Sequence, residues 1–180
     1  MLYLMIACQA LLAGVFVIAL AGKVRGRAAL DEFVASIVAL GMFSRARSVV
    51  AAYAVLGAEA VVILALVLPY TLLFGFVAAT ALLIVLTAGI SAALRRGRLT
   101  PCRCFGASVT PLGRTHVVRN LVLVAVGCIG FAAGAAAGGA GSAAHPAGVA
   151  LALAAAAVGA LIVVRLDDLI GLFATSVSPR

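Results

Sequence analysis

Charge is what this chain has least of. Asp, Glu, Lys and Arg make up 10% of its 180 residues, and only five of those are acidic against thirteen basic. Soluble domains carry roughly 25% charged residues, so a water-exposed globule is excluded. Cysteine is scarce too, and four thiols in a chain of this size are too few for a disulfide scaffold. No polar stretch is long enough to form a soluble catalytic domain. What fills the chain is apolar: 66% of residues are hydrophobic and the mean hydropathy is +1.31. A bilayer core of about 30 Å needs about 20 apolar residues per helix, so this length allows roughly four or five spans in one membrane domain. A formal charge of +8 would suggest nucleic acid for a soluble protein. Here the basic residues cluster at the ends of apolar runs, a topogenic pattern, and nucleic acid is not an expected partner.

In chain order, residues 1–22 form an apolar run followed by Lys23, Arg25 and Arg27. They lack the positive n-region of a signal sequence and read as an uncleaved first span. Residues 28–43 are apolar but opened by Asp31 and Glu32 and closed by Arg45 and Arg47. That is too short to cross, and predicts a helix on the membrane surface. Residues 48–68 and 70–94 are the second and third spans, hinged at Pro69 without a charge between them. A basic loop over 95–119 follows. Residues 120–137 form the fourth span, rich in Gly and Ala, and 147–164 a fifth. The predicted fold is an all-α membrane bundle of four core helices plus a fifth, with one interfacial helix. Residues 1–135 carry the core and the loop, and 136–180 supply the extra helix and tail.

All thirteen basic residues fall in three segments, 23–47, 95–119 and 165–180, which this arrangement puts on one side. The positive-inside rule makes that side cytoplasmic, with the N-terminus outside and the C-terminus inside. The expected location is the cell membrane.

The densest reactive chemistry is Pro101-Cys102-Arg103-Cys104-Phe105-Gly106 in the basic loop. Consecutive Cα atoms are about 3.8 Å apart, so a bend brings residues two apart within reach of a disulfide. The small ring departs from ideal geometry, which makes such a bond easy to reduce. Neighbouring arginines favour thiolate, the attacking form. The plainer alternative is two reduced cysteines packed at a helix end. Zinc is disfavoured, because Cys102, Cys104 and His116 leave no fourth ligand. Copper is disfavoured, although soft thiolates leave a two-sulfur copper(I) site open.

Within the membrane, Glu59 falls near mid-bilayer, where a lone acid is a functional candidate by default. Proton or quinone handling is one reading. The other is a protonated Glu59 hydrogen-bonded to a hydroxyl such as that of Thr80, at the same depth on the antiparallel neighbour. Cys8 and Cys128 read as small core residues. A thiol relay from Cys104 through them is a weaker alternative. His145 is placed in the outer turn, and His116 in the solvated loop, from which it could give a proton to a leaving thiolate.

Cys102-Arg103-Cys104-Phe105-Gly106, followed by Arg119-Asn120-Leu121, resembles the C-G-C-F-G and R-N signature of the MauE family, methylamine-utilisation membrane proteins related to DoxX. Gly22-Lys23, Phe33 and Glu59 fit the same pattern over roughly residues 1–135. Arg103 stands where the family pattern has glycine, and the connection over 44–48 lacks the expected proline. The resemblance implies a redox-associated membrane protein, acting beside a thioredoxin-like partner to mature a disulfide-containing protein. Cys102 and Cys104 would be its exchanging, catalytic pair. Arg103, Phe105, Gly106, His116, Arg119, Asn120, Glu59 and Lys23 would support them. A thiol-disulfide oxidoreductase is thus the first reading. A copper-handling or small-molecule-transporting bundle and a non-catalytic membrane subunit are the others. Quinone is the one organic cofactor these readings imply.

Overall fold

The computed structural model describes residues 1–41, 44–96, 114–137 and 145–166. Among them are six α-helices: α1 (Leu2–Val24), α2 (Arg27–Ala39), α3 (Arg45–Val67), α4 (Leu72–Arg95), α5 (Arg114–Ala137) and α6 (Pro146–Val164). All but α2 are long and apolar enough to span a bilayer. A helix satisfies its backbone internally, which is why apolar runs of this length adopt no other form in lipid. The chain is therefore the multi-pass helical membrane protein its composition predicts.

Close approaches between side chains fix the helix directions. Gly134 of α5 meets Leu73 and Met5, Gly130 meets Phe76 and Cys8, and Gly127 meets Thr80 and Leu12. The pairings climb α1 and α4 as they descend α5, so α5 runs antiparallel to both. On α6, Gly148 lies against Tyr3 and Ala160 against Gly14, so α6 runs parallel to α1. Its buried stripe is Ala152, Ala156 and Ala160. Small residues at these faces let the backbones close up, the usual source of helix association where lipid removes the hydrophobic drive. Leu12, Phe16, Leu66, Phe76, Leu83 and Leu123 fill the centre.

The turn after α3 shows how proline is accommodated. Pro69 has no N–H for the carbonyl of Ala65, and the Thr71 hydroxyl donates to it instead at 3.0 Å. Gln9 Nε2 of α1 donates to the next free carbonyl, Leu66, at 2.7 Å. Beyond the turn, Gly75 packs directly on the backbone of Ala65 and Leu66, and a Cβ there would sit 2.8 Å from rigid main-chain atoms. Gly75→Ala should therefore destabilise the hairpin by about 1–3 kcal/mol, despite alanine's better helix propensity. Unfolding of the purified variant in mixed micelles checks this, and unchanged stability would show that the hairpin relaxes freely.

The short helix α2 buries Phe33 and ends at Leu40, with Gly41 in the left-handed region (φ 62°). Leu40 packs with Ile90 and Leu94 of α4 and Val117 of α5. Thus α2 lies across one end of the bundle, from α1 and α3 at Phe33 to α4 and α5 at Leu40. The ends of α1, α3, α4, α5 and α6 that carry Lys23, Arg45, Arg95, Arg119 and Arg165 all gather there.

Two boundaries that bear on the site differ from the sequence reading. α1 continues through Lys23, and α5 begins at Arg114, so that His116 and Arg119 belong to the helix rather than to the preceding loop. His145 is the N-cap of α6: its Nδ1 accepts from Ala147 N–H at 3.3 Å, and its own N–H donates to the Tyr3 hydroxyl at 3.0 Å.

Candidate functional site

The expectations placed on Cys102, Arg103, Cys104, Phe105 and Gly106 fall outside the described residues. The segment holding them joins α4 to α5, so it begins and ends at the basic end of the bundle. The residues expected to support them, Lys23, Glu59, His116, Arg119 and Asn120, are buried toward that end.

Lys23 is the last basic residue one would expect to be buried, since a lysine closing an apolar run normally extends to the headgroups. It is 3% exposed, and forms a salt bridge with Glu59, which is 2% exposed. The geometry follows from helix direction. Gln9 and Leu66 lie at one level. Counting from them at 1.5 Å per residue, the Lys23 backbone lies about 10 Å nearer the basic end than that of Glu59. Each Cβ tilts toward its own helix N-terminus. Because α1 and α3 are antiparallel, Lys23 leans into the membrane and Glu59 leans out to meet it. The Phe33 ring completes the arrangement, with its centroid 5.0 Å from Lys23 Nζ. A cation over an aromatic face gains most where water is excluded. Lys23, Phe33 and Glu59, three separate positions in the sequence pattern, are one buried contact in space.

This corrects the lone-acid reading of Glu59. Its partner is a lysine, and the Thr80 hydroxyl donates instead to its own helix at the Phe76 carbonyl, 2.8 Å away. Glu59 is thereby held next to a cation in the membrane interior, and its Oε2 accepts no hydrogen bond among the described residues.

His116, Arg119 and Asn120 form a second buried group on the first two turns of α5. Arg119 Nη2 lies 3.0 Å from His116 Nδ1. A guanidinium only donates, so Nδ1 is the acceptor and a proton on the ring sits at Nε2. This buried contact replaces the solvated loop histidine expected from the sequence. Asn120 is 1% exposed, and neither end of its amide has a hydrogen-bond partner among the described residues. Extending the Leu12–Gly127 pairing along α1 and α5 puts Asn120 level with Ala19. The Lys23 ammonium, leaning back about one turn, reaches that same level. The ion pair and the amide therefore share one depth, below the mouth from which α4 and α5 emit the cysteine segment.

The remaining thiols do not join this layer. Cys8 is buried in the apolar core beside Leu12 and Phe76, whereas Cys128 is exposed on α5. Facing different ways, they give a relay no path among the described residues. No group of three His, Cys, Asp or Glu side chains able to hold a metal occurs among those residues either.

The sequence model of a family described as "Methylamine utilisation protein MauE" matches residues 1–135. No curated protein and no solved structure matches the chain.

Proposed function

The chain belongs to the MauE family of methylamine-utilisation membrane proteins, and from that premise we propose that it exchanges thiol and disulfide with a thioredoxin-like partner through Cys102 and Cys104. The observation that carries this reading is the matched segment itself, which holds both thiols between arginines, together with the buried Lys23–Glu59, His116–Arg119 and Asn120 groups at the end that bears it.

In the proposed reaction one thiolate attacks a partner disulfide, forming a mixed disulfide and releasing one partner sulfur as thiolate. The second thiolate then attacks the mixed disulfide at the chain's own sulfur. That closes Cys102–Cys104 and releases the other partner sulfur. Two electrons pass to the partner, whose sulfurs take protons from water, and the chain is left oxidised; the reverse sequence oxidises the partner. Arginine charge lowers the cost of each thiolate. The buried ion pair has a positioning role, fixing α1, α2 and α3 at the end where the exchange takes place.

The basic end of the bundle is assigned to the cytoplasm, and the N-terminus to the outside, on the asymmetry of Lys and Arg. Maturation of a disulfide-containing protein outside the cell then requires electrons to cross the bilayer, and a membrane quinone would link the two faces, accepting two electrons as the quinone or giving them up as the quinol.

Labelling with a membrane-impermeant maleimide tests both parts. In cells or inside-out vesicles, Cys102 and Cys104 should react from the cytoplasmic face only, and only after reduction when the pair has been oxidised. Labelling from the outer face would overturn the sidedness, and labelling indifferent to reductant would overturn the cycling pair.

A further inference from the structure

The outer face of α4 at the basic end carries a recess of about 360 Å³, lined by Ala88, Ser91, Ala92, Arg95 and Arg96. Its volume is within the range of small-ligand clefts, about 300–1,000 Å³. Elsewhere α4 turns bulky residues such as Phe74, Val77, Ile84 and Val85 outward. Here two alanines and a serine replace them, so the hollow exists because side-chain bulk is missing.

The order of groups along the hollow is informative. Arg95 and Arg96 are exposed at its mouth, and neither guanidinium makes an ion pair or hydrogen bond among the described residues. The Ser91 hydroxyl lies about 6 Å deeper at the helical rise, and the Ala88 methyl about 4.5 Å deeper again. Charge, then hydroxyl, then methyl is the sequence of phosphate, glycerol ester and first methylenes met on entering a bilayer leaflet. We propose that this recess binds an anionic glycerophospholipid, its phosphate between Arg95 and Arg96, its glycerol ester at Ser91 and the start of one acyl chain over Ala88 and Ala92. The two unneutralised guanidinium groups supply the charge complementarity, and their planar donors suit a phosphate better than a diffuse surface potential does. The site lies on α4 at the point where the cysteine segment departs, so an occupied recess would tether that end of α4 to the leaflet.

Native mass spectrometry of the intact protein, released from nanodiscs of mixed phosphatidylglycerol and phosphatidylcholine, provides the test. Wild type should retain phosphatidylglycerol. R95Q/R96Q should retain it about tenfold less or lower. R25Q/R27Q removes as much charge from the same end of the bundle without touching the recess, and should stay within about twofold of wild type, because exposed charges that do not contact the bound headgroup are largely screened by salt. A88L/A92L keeps every charge but fills the hollow, and should lose retention as R95Q/R96Q does. Two results would overturn the site: equal losses in the two arginine pairs, which mark a general attraction of the basic end, and undiminished retention in A88L/A92L. Monodisperse elution of each variant shows that the bundle is intact.

Discussion

Replacing Glu59 with leucine is expected to destabilise the bundle by about 3–5 kcal/mol, because it strands the Lys23 ammonium in a site almost closed to solvent. Lys23→Met should do the same from the other side, leaving a carboxylate against apolar neighbours. The double variant K23M/E59L should recover most of the loss, since two apolar side chains of similar volume remove both desolvation costs at once. Phe33 sharpens the contrast: it loses a cation in either Lys23 variant but keeps its packing, so its share is about 1–2 kcal/mol at most. Unfolding in mixed micelles gives all three values. If the double variant is as unstable as the worse single one, the pair is more than a mutual neutralisation, and its charges must answer other groups nearby. If the double variant folds but no longer supports exchange, the pair acts on the chemistry of the mouth as well as on the fold.

Part of this pair could be read from sequence and part could not. Depth along a helix is a matter of counting, so the five spans, the short helix α2 and the position of Glu59 midway along α3 were all legible. Rotation about the helix axis is not legible in spans that are apolar all round, because they carry no amphipathic stripe to mark an inward face. On depth alone Thr80 is as suitable a partner as any, and Lys23 is one more basic residue closing an apolar run. Contacts on α1, α3 and α2 together turn Lys23 inward, and none of these is local in sequence. The same limit applies to Cys8 and Cys128, equally apolar in context but oppositely oriented. At α5 the difficulty was a boundary. Arg114 to Arg119 is polar enough to pass for loop, yet it forms the first turns of α5, where His116 and Arg119 are bonded one turn apart. The family pattern had marked Lys23, Phe33, Glu59, Arg119 and Asn120 as separate positions. In the folded chain, contact joins the first three and sequence the last two, and helical register sets Asn120 and the ion pair at one depth.

Substituting the cysteines should have the opposite signature to substituting Glu59: complete loss of exchange with no loss of stability. Serine in place of either thiol keeps the side-chain volume nearly unchanged and removes the sulfur that forms or resolves the mixed disulfide. C102S and C104S should each reduce turnover by at least about a thousandfold, the usual consequence of deleting a covalent nucleophile that works as part of a unit. The double variant should be no worse than either single one, because the two sulfurs act in one sequence of steps. The single variants differ in what they leave behind. The one that keeps the attacking thiol cannot resolve its mixed disulfide, and should accumulate a covalent complex with the thioredoxin-like partner, visible on non-reducing gels and dissolved by reductant. The one that keeps only the resolving thiol should accumulate far less, which identifies the nucleophile of the pair. Retained exchange in the double variant would refute the thiol mechanism and return the chain to the copper-handling, transporting or purely structural readings. Unaltered unfolding in all three variants separates this loss from the structural one expected at Glu59, so the two experiments together tell chemistry at the mouth from support beneath it.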